Sequence, residues 1–260
     1  DALMRAFDFI PHWRMDDLMV SFSNIGAGVG PHLDQYDVFI VQGKGSRRWQ
    51  VGMPSEYLEH FPHDDLRQID GFTPIIDEVL EPGDVIYIPP GFPHNGVALQ
   101  DCMNFSVGFR AASQQEMLSS IADYALENDF FNVRYRDPEI KERDFSGEIK
   151  QQEINEFKLQ LQQVLDSDHF PNWLGKFLSR SQEVYDLENE NIEQYDPIEI
   201  QIKIEENSNF IRSPALKPVL IGVGLEGKSG HVLYVGDQEF RIPPTEAKLI
   251  KSFVSAPNWN

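Results

Sequence analysis

The chain has 260 residues, 41% of them apolar and 12% aromatic, enough to bury a core and too many for a disordered chain. Its 42 acidic and 22 basic side chains give a net charge of −20, which argues against a nucleic-acid or anionic-membrane binder. The single cysteine, Cys102, excludes a disulfide scaffold and any Cys-based zinc or iron–sulfur site, and no apolar run approaches the ~18 residues of a membrane-spanning helix.

Nothing at the start reads as a signal peptide, and a first residue of Asp1 instead of Met suggests a fragment. The expectation is a soluble intracellular protein of one large domain or two to three small ones. The charge is uneven: −9 over residues 1–110, −12 over 111–200 and +1 over 201–260. This acidic excess either keeps the chain soluble or steers in a Lys/Arg-rich partner.

The first third reads as β-structure. Met19 to Ile25 alternates apolar and polar, as a half-buried strand should. Val38 to Gln42 is a second strand, and the turn Gly43-Lys44-Gly45 leads into Ser46 to Val51. The turn Glu81-Pro82-Gly83-Asp84 precedes the strand Val85 to Ile88, and Asn104 to Phe109 closes the set. Short strands between Gly and Pro turns point to a sandwich or barrel. At Ser113 the pattern changes. Ser113-Gln114-Gln115-Glu116 is a capping box, with Met117, Ile121, Tyr124 and Ala125 following at helical spacing. Ile154, Phe157, Leu161, Val164 and Leu165 mark a second amphipathic helix, and Trp173, Leu174, Phe177 and Leu178 a third. These faces pack within the chain or form a dimer interface. Glu188 to Glu193 reads as a solvated connector. The tail is mixed α/β: strands at His231 to Val235 and Glu239 to Ile242, then a helix from near Thr245.

The chemistry lies in the β-rich third. His32-Leu33-Asp34 sets an imidazole and a carboxylate two residues apart, and on a strand both would face one way. His94 follows a strand and a Pro-Gly turn. Two histidines and one carboxylate form the facial triad that leaves positions open on Fe(II). An H-x-D tripeptide alone is weak, and a second copy, His63-Asp64-Asp65, sits in a polar stretch that reads as a loop. His12, His60, His169 and His231 lack partners at ligand spacing and read as surface or core histidines. The His32 copy has supporting context: the glycine-rich Gly26 to Gly30 before it permits close backbone approach, and Gly83-x5-Pro89-x-Gly91-x2-His94 completes a second motif.

Gly83 to His94 resembles the second motif of the cupin superfamily, and its combination with H-x-D resembles the JmjC-type 2-oxoglutarate oxygenases, whose core is a double-stranded β-helix. Gly30-Pro31-His32-Leu33-Asp34-Gln35-Tyr36-Asp37 and Ile88-Pro89-Pro90-Gly91-Phe92-Pro93-His94 resemble the bacterial ribosomal-oxygenase branch, the ribosomal protein arginine hydroxylases. The resemblance implies an α+β chain with three parts: a catalytic barrel at 1–112, truncated at its N-terminus; a helical dimerisation region at 113–187; and a winged-helix-like tail at 188–260. It also implies a cytoplasmic 2-oxoglutarate-dependent dioxygenase with Fe(II), 2-oxoglutarate and O2 as cofactor and co-substrates.

On this reading His32, Asp34 and His94 bind the metal. Arg47, fifteen residues beyond His32, holds the far carboxylate of 2-oxoglutarate where many relatives have lysine. Strand alternation sends Arg47 and Trp49 to one face and Arg48 to the other. Ser21, Ser23 and Asn104 either help hold the co-substrate or make purely structural hydrogen bonds; Tyr36 and Asp37 are candidates for receiving a cationic substrate side chain. The implied reaction hydroxylates the β-carbon of an arginine in the sixteenth protein of the large ribosomal subunit, with histidine hydroxylation left open. The implied protein is a homodimer with a basic ribosomal substrate and no membrane partner. The tail's scattered Lys203, Arg212, Lys217, Lys228 and Arg241 make no basic stripe, so direct nucleic-acid binding is not expected. The competing readings are a cupin-type metalloenzyme that does not use 2-oxoglutarate and a catalytically silent acidic adaptor for ribosomal proteins.

Overall fold

The computed structural model describes residues 2–63, 66–137, 142–180, 196–206, 208, 210–211, 216–225, 228–255 and 258–259. The chain divides into two compact units, Asp1–Ala112 and Ser113–Asn260. The connector expected at Glu188 to Glu193, the domain boundary expected at 187/188, and Arg212 lie outside the described residues.

The first unit opens with a short helix, α1 (Ala2–Arg5), and a 3-10 turn at His12–Arg14. Nine strands follow: β1 (Met15–Ser23), β2 (Asp37–Lys44), β3 (Arg47–Gly52), β4 (Glu59–His63), β5 (Leu66–Ile69), β6 (Pro74–Leu80), β7 (Val85–Ile88), β8 (His94–Ala98) and β9 (Cys102–Phe109). They form a four-stranded sheet in the order β1-β9-β2-β7, a three-stranded sheet β6-β3-β8 and the two-stranded sheet β4-β5. Every pairing is antiparallel. Alternation along β2 sends Val38 and Ile40 inward, where they meet Trp49, Val51, Leu80, Ile86 and Ile88 in one buried cluster between the two larger sheets.

The strand expected at Met19 to Ile25 starts earlier, at Met15, and ends at Ser23; Ile25 falls in a turn with Gly26 at φ +78°. As an edge strand β1 leaves Leu18, Val20 and Phe22 exposed on its outer side. β4, β5, β6 and β8 carry no alternation strong enough to flag them. His63 ends β4 instead of lying on the expected loop, and Asp64 and Asp65 fall outside the described residues.

The second unit starts at the expected capping box: Ser113 Oγ accepts from the Glu116 amide, and the Glu116 carboxylate accepts from the Ser113 amide, at the head of α2 (Gln114–Glu127). Helices α3 (Gln151–Leu165) and α4 (His169–Ser179) follow, then α5 (Pro197–Glu205). The strands β10 (Phe210–Ile211) and β14 (Asn258–Trp259) pair, the antiparallel sheet β11-β12-β13 comprises Val219–Leu225, Lys228–Val235 and Gln238–Ile242, and α6 spans Ala247–Ser255. Helix α4 packs on β11 and β12. Gly175 of α4 sits against the Tyr234 ring, where a Cβ would lie 2.3 Å from Cδ2, and the Tyr234 hydroxyl donates to Asn172 Oδ1 at 2.6 Å.

Helix α3 buries none of its residues: Ile154, Phe157, Leu161 and Leu165 remain 39–69% exposed. Among the described residues Phe157 stacks on Tyr135 at 4.5 Å, and much of the remaining apolar face is left uncovered. Among the described residues no helix is long and apolar enough to cross a membrane.

Candidate metal centre

His32 and His94 face each other across a short antiparallel bridge, each backbone N–H donating to the other's carbonyl at 3.0 Å. Both are preceded by proline, in Gly30-Pro31-His32 and Phe92-Pro93-His94. A proline fixes its own φ and keeps the residue before it out of the helical region. The same local hydrogen bond follows in both: His32 Nδ1 donates to the Gly30 carbonyl at 2.8 Å, and His94 Nδ1 to the Phe92 carbonyl at 3.0 Å. A carbonyl only accepts, so each Nδ1 carries the proton and each Nε2 presents its lone pair. The strand expected at His32 to Asp34 is reduced to an isolated bridge at His32; Asp34, two residues on and outside any strand, has its backbone carbonyl held by the Gly91 amide at 2.8 Å, and its Oδ2 lies 3.4 Å from His94 Nε2.

One ligand atom from each of His32, Asp34 and His94 lies within 4.8 Å of the other two, close enough to share one ion after a small side-chain adjustment. Burial opposes charge on Asp34, yet the neighbouring His94 and His32 imidazoles hold its carboxyl below the usual value. Burial and the neighbouring His94 push His32 down, favouring the neutral imidazole a metal needs. The glycine-rich approach has a steric reason: a Cβ on Gly28 would lie 2.2 Å from the Gly96 carbonyl oxygen, and one on Gly30, at φ +89°, 2.6 Å from Gln68 Nε2.

The triad opens into a cavity of about 320 Å³ between the sheets, lined also by Ser21, Tyr36, Arg47 and Asn104. Arg47 and Trp49 point inward at 4% exposure each, while Arg48 points out to Asp77 at 2.5–2.6 Å, as alternation along β3 requires. The Arg47 guanidinium donates to Asn104 Oδ1 at 2.8 Å, to the Gly96 carbonyl at 3.1 Å and to Ser23 Oγ at 3.4 Å, and lies 4.9 Å from the Trp49 ring centroid. All its partners are neutral, its Nε is buried without an acceptor, and burial lowers its pKa. Among the described residues no carboxylate pairs with it. A buried cation arranged in this way is suited to an anion from outside the chain. Ser21 Oγ donates to Asn104 Oδ1 at 2.9 Å, so Ser21, Asn104, Arg47 and Ser23 form one hydrogen-bonded group.

Of the two aromatic and acidic neighbours considered for a cationic side chain, only Tyr36 lines the cavity. Burial and the carboxylates of Asp34, Asp17 and Asp16 push its hydroxyl up to about 12. Asp37 turns away, accepting from Arg14 at 2.7 Å and from the Tyr87 hydroxyl at 2.5 Å. Asp17 and Arg67 also line the cavity, and no motif in the sequence marks either. Of the remaining histidines, His12 and His60 sit near Asp8 and Asp70 at the surface, and His169 stacks on Phe130 at 3.8 Å.

A JmjC domain model matches residues 2–117. The chain is 46% identical over 222 residues to the ribosomal protein uL16 3-hydroxylase of Escherichia coli, covering 85% of this chain and 59% of that protein. It is 35% identical over 220 residues to a probable ribosomal oxygenase of Haemophilus influenzae, covering 80% and 54%. An X-ray structure of E. coli YcfD superposes with a TM-score of 0.79 at 36% identity, covering 99% of this chain and 74% of that one. The chain belongs to the JmjC ribosomal oxygenases. A second YcfD structure, described as a ribosomal oxygenase in complex with cobalt and 2-oxoglutarate, matches this JmjC chain with a TM-score of 0.78 at 37% identity over 100% of its length and 66% of the other's. The JmjC chain thus spans between half and three fifths of the curated relatives named here. Its barrel is the JmjC form of the cupin fold, within a mixed α/β chain.

Proposed function

We propose that this chain is an Fe(II)- and 2-oxoglutarate-dependent hydroxylase that adds a hydroxyl to a side-chain carbon, the β-carbon of an arginine, in a large-subunit ribosomal protein. One observation carries the reading: a 2-His-1-carboxylate set with both Nε2 atoms freed by Nδ1 hydrogen bonds, beside a buried arginine with no carboxylate partner among the described residues. Two neutral imidazoles and one carboxylate suit Fe(II), with positions left for a chelating co-substrate and oxygen. The uL16 3-hydroxylase relative and the YcfD complex with cobalt and 2-oxoglutarate support the assignment.

His32, Asp34 and His94 would hold the ion. Arg47 would pair with the remote carboxylate of 2-oxoglutarate, a charge-assisted contact of about 1.5–3 kcal/mol, with Ser21, Ser23 and Asn104 fixing the guanidinium and offering further polar contacts. When bound, Fe(II) supplies the oxygen chemistry that converts 2-oxoglutarate to succinate and CO2 and hydroxylates the substrate carbon. The chain's own part is to position both substrates and exclude water between its two sheets. Asp17 and the nearby Asp16 give part of the cavity wall an acidic character that favours arginine over a neutral side chain, beside the neutral Tyr36 hydroxyl.

On the same reading residues 113–187 form a dimerisation region, with the exposed apolar face of α3 as its surface, and 188–260 a winged-helix-like scaffold. The enzyme would act as a cytoplasmic homodimer. Arg47 separates this proposal from a cupin enzyme that has no dianionic co-substrate to hold, and the acidic cavity wall beside a complete ligand set disfavours a silent adaptor.

The test is an anaerobic absorbance titration of the Fe(II)-loaded protein with 2-oxoglutarate, followed by mass spectrometry of ribosomal proteins after aerobic turnover. A saturable visible band and one added oxygen on an arginine are expected. Absence of the band with iron bound and the fold intact would overturn the proposal.

A further inference from the structure

Arg67 stands on β5, on the cavity wall, and belongs to neither motif. Its neighbours hold that strand firmly. Gln68 forms a backbone bridge with His32 and donates from Nε2 to the Val29 carbonyl, while the Ile69 amide donates to the Pro31 carbonyl at 3.0 Å and its side chain is 2% exposed. Arg67 is thereby fixed in register with the Pro31-His32 segment. Glu59, on the paired strand β4, takes one guanidinium nitrogen: Arg67 Nη2 lies 2.5 Å from both carboxylate oxygens. Nε and Nη1 have no acceptor among the described residues, and the side chain is 48% exposed.

The pair is neutral as a whole, so it has little call for an anion, and the chain's charge of −20 makes an acidic protein partner a poor match. What remains on offer is a set of directional N–H donors, half in solvent, at the side of a cavity whose other wall carries Asp17. A protein substrate that sends one side chain into the cavity must run its main chain past the outside, where carbonyl oxygens are the available acceptors.

We propose that Arg67, steadied by Glu59, is a substrate-positioning residue that hydrogen-bonds a main-chain carbonyl of the protein substrate. The inference rests on the protein-hydroxylase reading above. It assigns the paired strands β4 and β5 to peptide recognition and leaves co-substrate binding to Arg47.

The experiment compares the parent chain with Arg67→Leu and Arg67→Lys, using purified uL16 as the probe. Initial rates of oxygen addition, read by mass spectrometry, give KM and kcat, and the anaerobic absorbance titration gives the 2-oxoglutarate midpoint. Arg67→Leu should raise the uL16 KM about tenfold with kcat within about twofold, the loss of one hydrogen bond to a charged donor. Arg67→Lys, which keeps the charge and a donor, should recover part of that loss. A parent that adds no oxygen to uL16 sinks the functional reading itself. An active parent whose Arg67→Leu variant keeps its KM overturns the role of Arg67 alone. A 2-oxoglutarate midpoint that shifts in step with the KM overturns it too, because Arg67 would then be shaping the cavity instead of holding the peptide.

Discussion

Replacing Arg47 with Met should separate co-substrate affinity from stability. The guanidinium makes two good hydrogen bonds, to Asn104 Oδ1 at 2.8 Å and to the Gly96 carbonyl at 3.1 Å, and a weak one to Ser23 at 3.4 Å. Asn104 Oδ1 keeps the Ser21 hydroxyl as a donor, so the Gly96 carbonyl is the principal acceptor left bare, at a cost of about 1–3 kcal/mol. Against this, Met removes a cation that is 4% exposed without a counter-ion, and its apolar stem still packs on Trp49. The two effects oppose each other, so stability without co-substrate should change by about 1 kcal/mol or less, a Tm shift of roughly 2–4 °C. Affinity has no such compensation. Losing a partly buried charge-assisted carboxylate contact of about 1.5–3 kcal/mol weakens 2-oxoglutarate binding roughly 10- to 150-fold. Differential scanning calorimetry of the metal-free protein and the anaerobic absorbance titration measure the two quantities. A midpoint within about threefold of the parent would refute the reasoning, as would a Tm loss well beyond this range, since Arg47 would then be a structural cation.

Three further outcomes follow from other parts of the molecule. His32→Ala should lower Co(II) affinity by at least about a hundredfold in calorimetric titration, because it removes one of three proposed ligands, and should leave the circular dichroism spectrum intact. The dimer proposed through α3 should become a monomer in light scattering on Leu161→Glu, without a large Tm loss, because that side chain is 69% exposed among the described residues. Hydrogen bonds from Arg48 hold the Asp77 carboxyl below its ordinary 3.8, so the pair's contribution is present above that value and fades as pH falls through the depressed one. Arg48→Met should therefore raise the Asp77 pKa seen by NMR and narrow the stability difference from the parent under strongly acidic conditions.

What could be read in the sequence follows from how local each cause is. Alternation places Arg47 and Trp49 against Arg48 because a strand's period is a property of the strand itself. The box at Ser113 closes within four residues for the same reason. Strand β6 escapes notice because six of its seven residues are exposed, so no apolar face repeats along it. Asp37 sits beside Tyr36 in the motif yet is claimed by Arg14 and Tyr87, 23 and 50 residues away, and nothing nearby signals that diversion. Asp17 and Arg67 reach the cavity through the pairing of distant strands, which the sequence pattern around them does not encode. The apolar spacing of α3 predicts a helix correctly, but spacing alone does not say whether its partner lies in the same chain.

The same reasoning about locality gives the two prolines before the histidines proposed to bind metal a testable role. Each imidazole is oriented by the carbonyl two residues earlier, at 2.8 Å for His32 and 3.0 Å for His94, and the intervening proline limits where that carbonyl can point. Pro93 is fully buried, so replacing it would also open a void. Pro31 is only partly buried and is the cleaner test. Pro31→Ala frees the backbone at Gly30, whose φ of +89° is already one that glycine alone adopts easily, and so loosens the hold on His32 Nδ1. Outer groups that orient a metal's ligands typically account for 10- to 100-fold in affinity, and a carbonyl that is loosened but not removed should fall near the lower end, about tenfold. Less restriction of the unfolded chain costs a further ~0.4–1 kcal/mol of stability, a Tm decrease of a few degrees. Calorimetric Co(II) titration of Pro31→Ala beside the parent isolates the first effect from the second. An unchanged metal affinity would show that the bridge between His32 and His94 orients the ring without help from the proline.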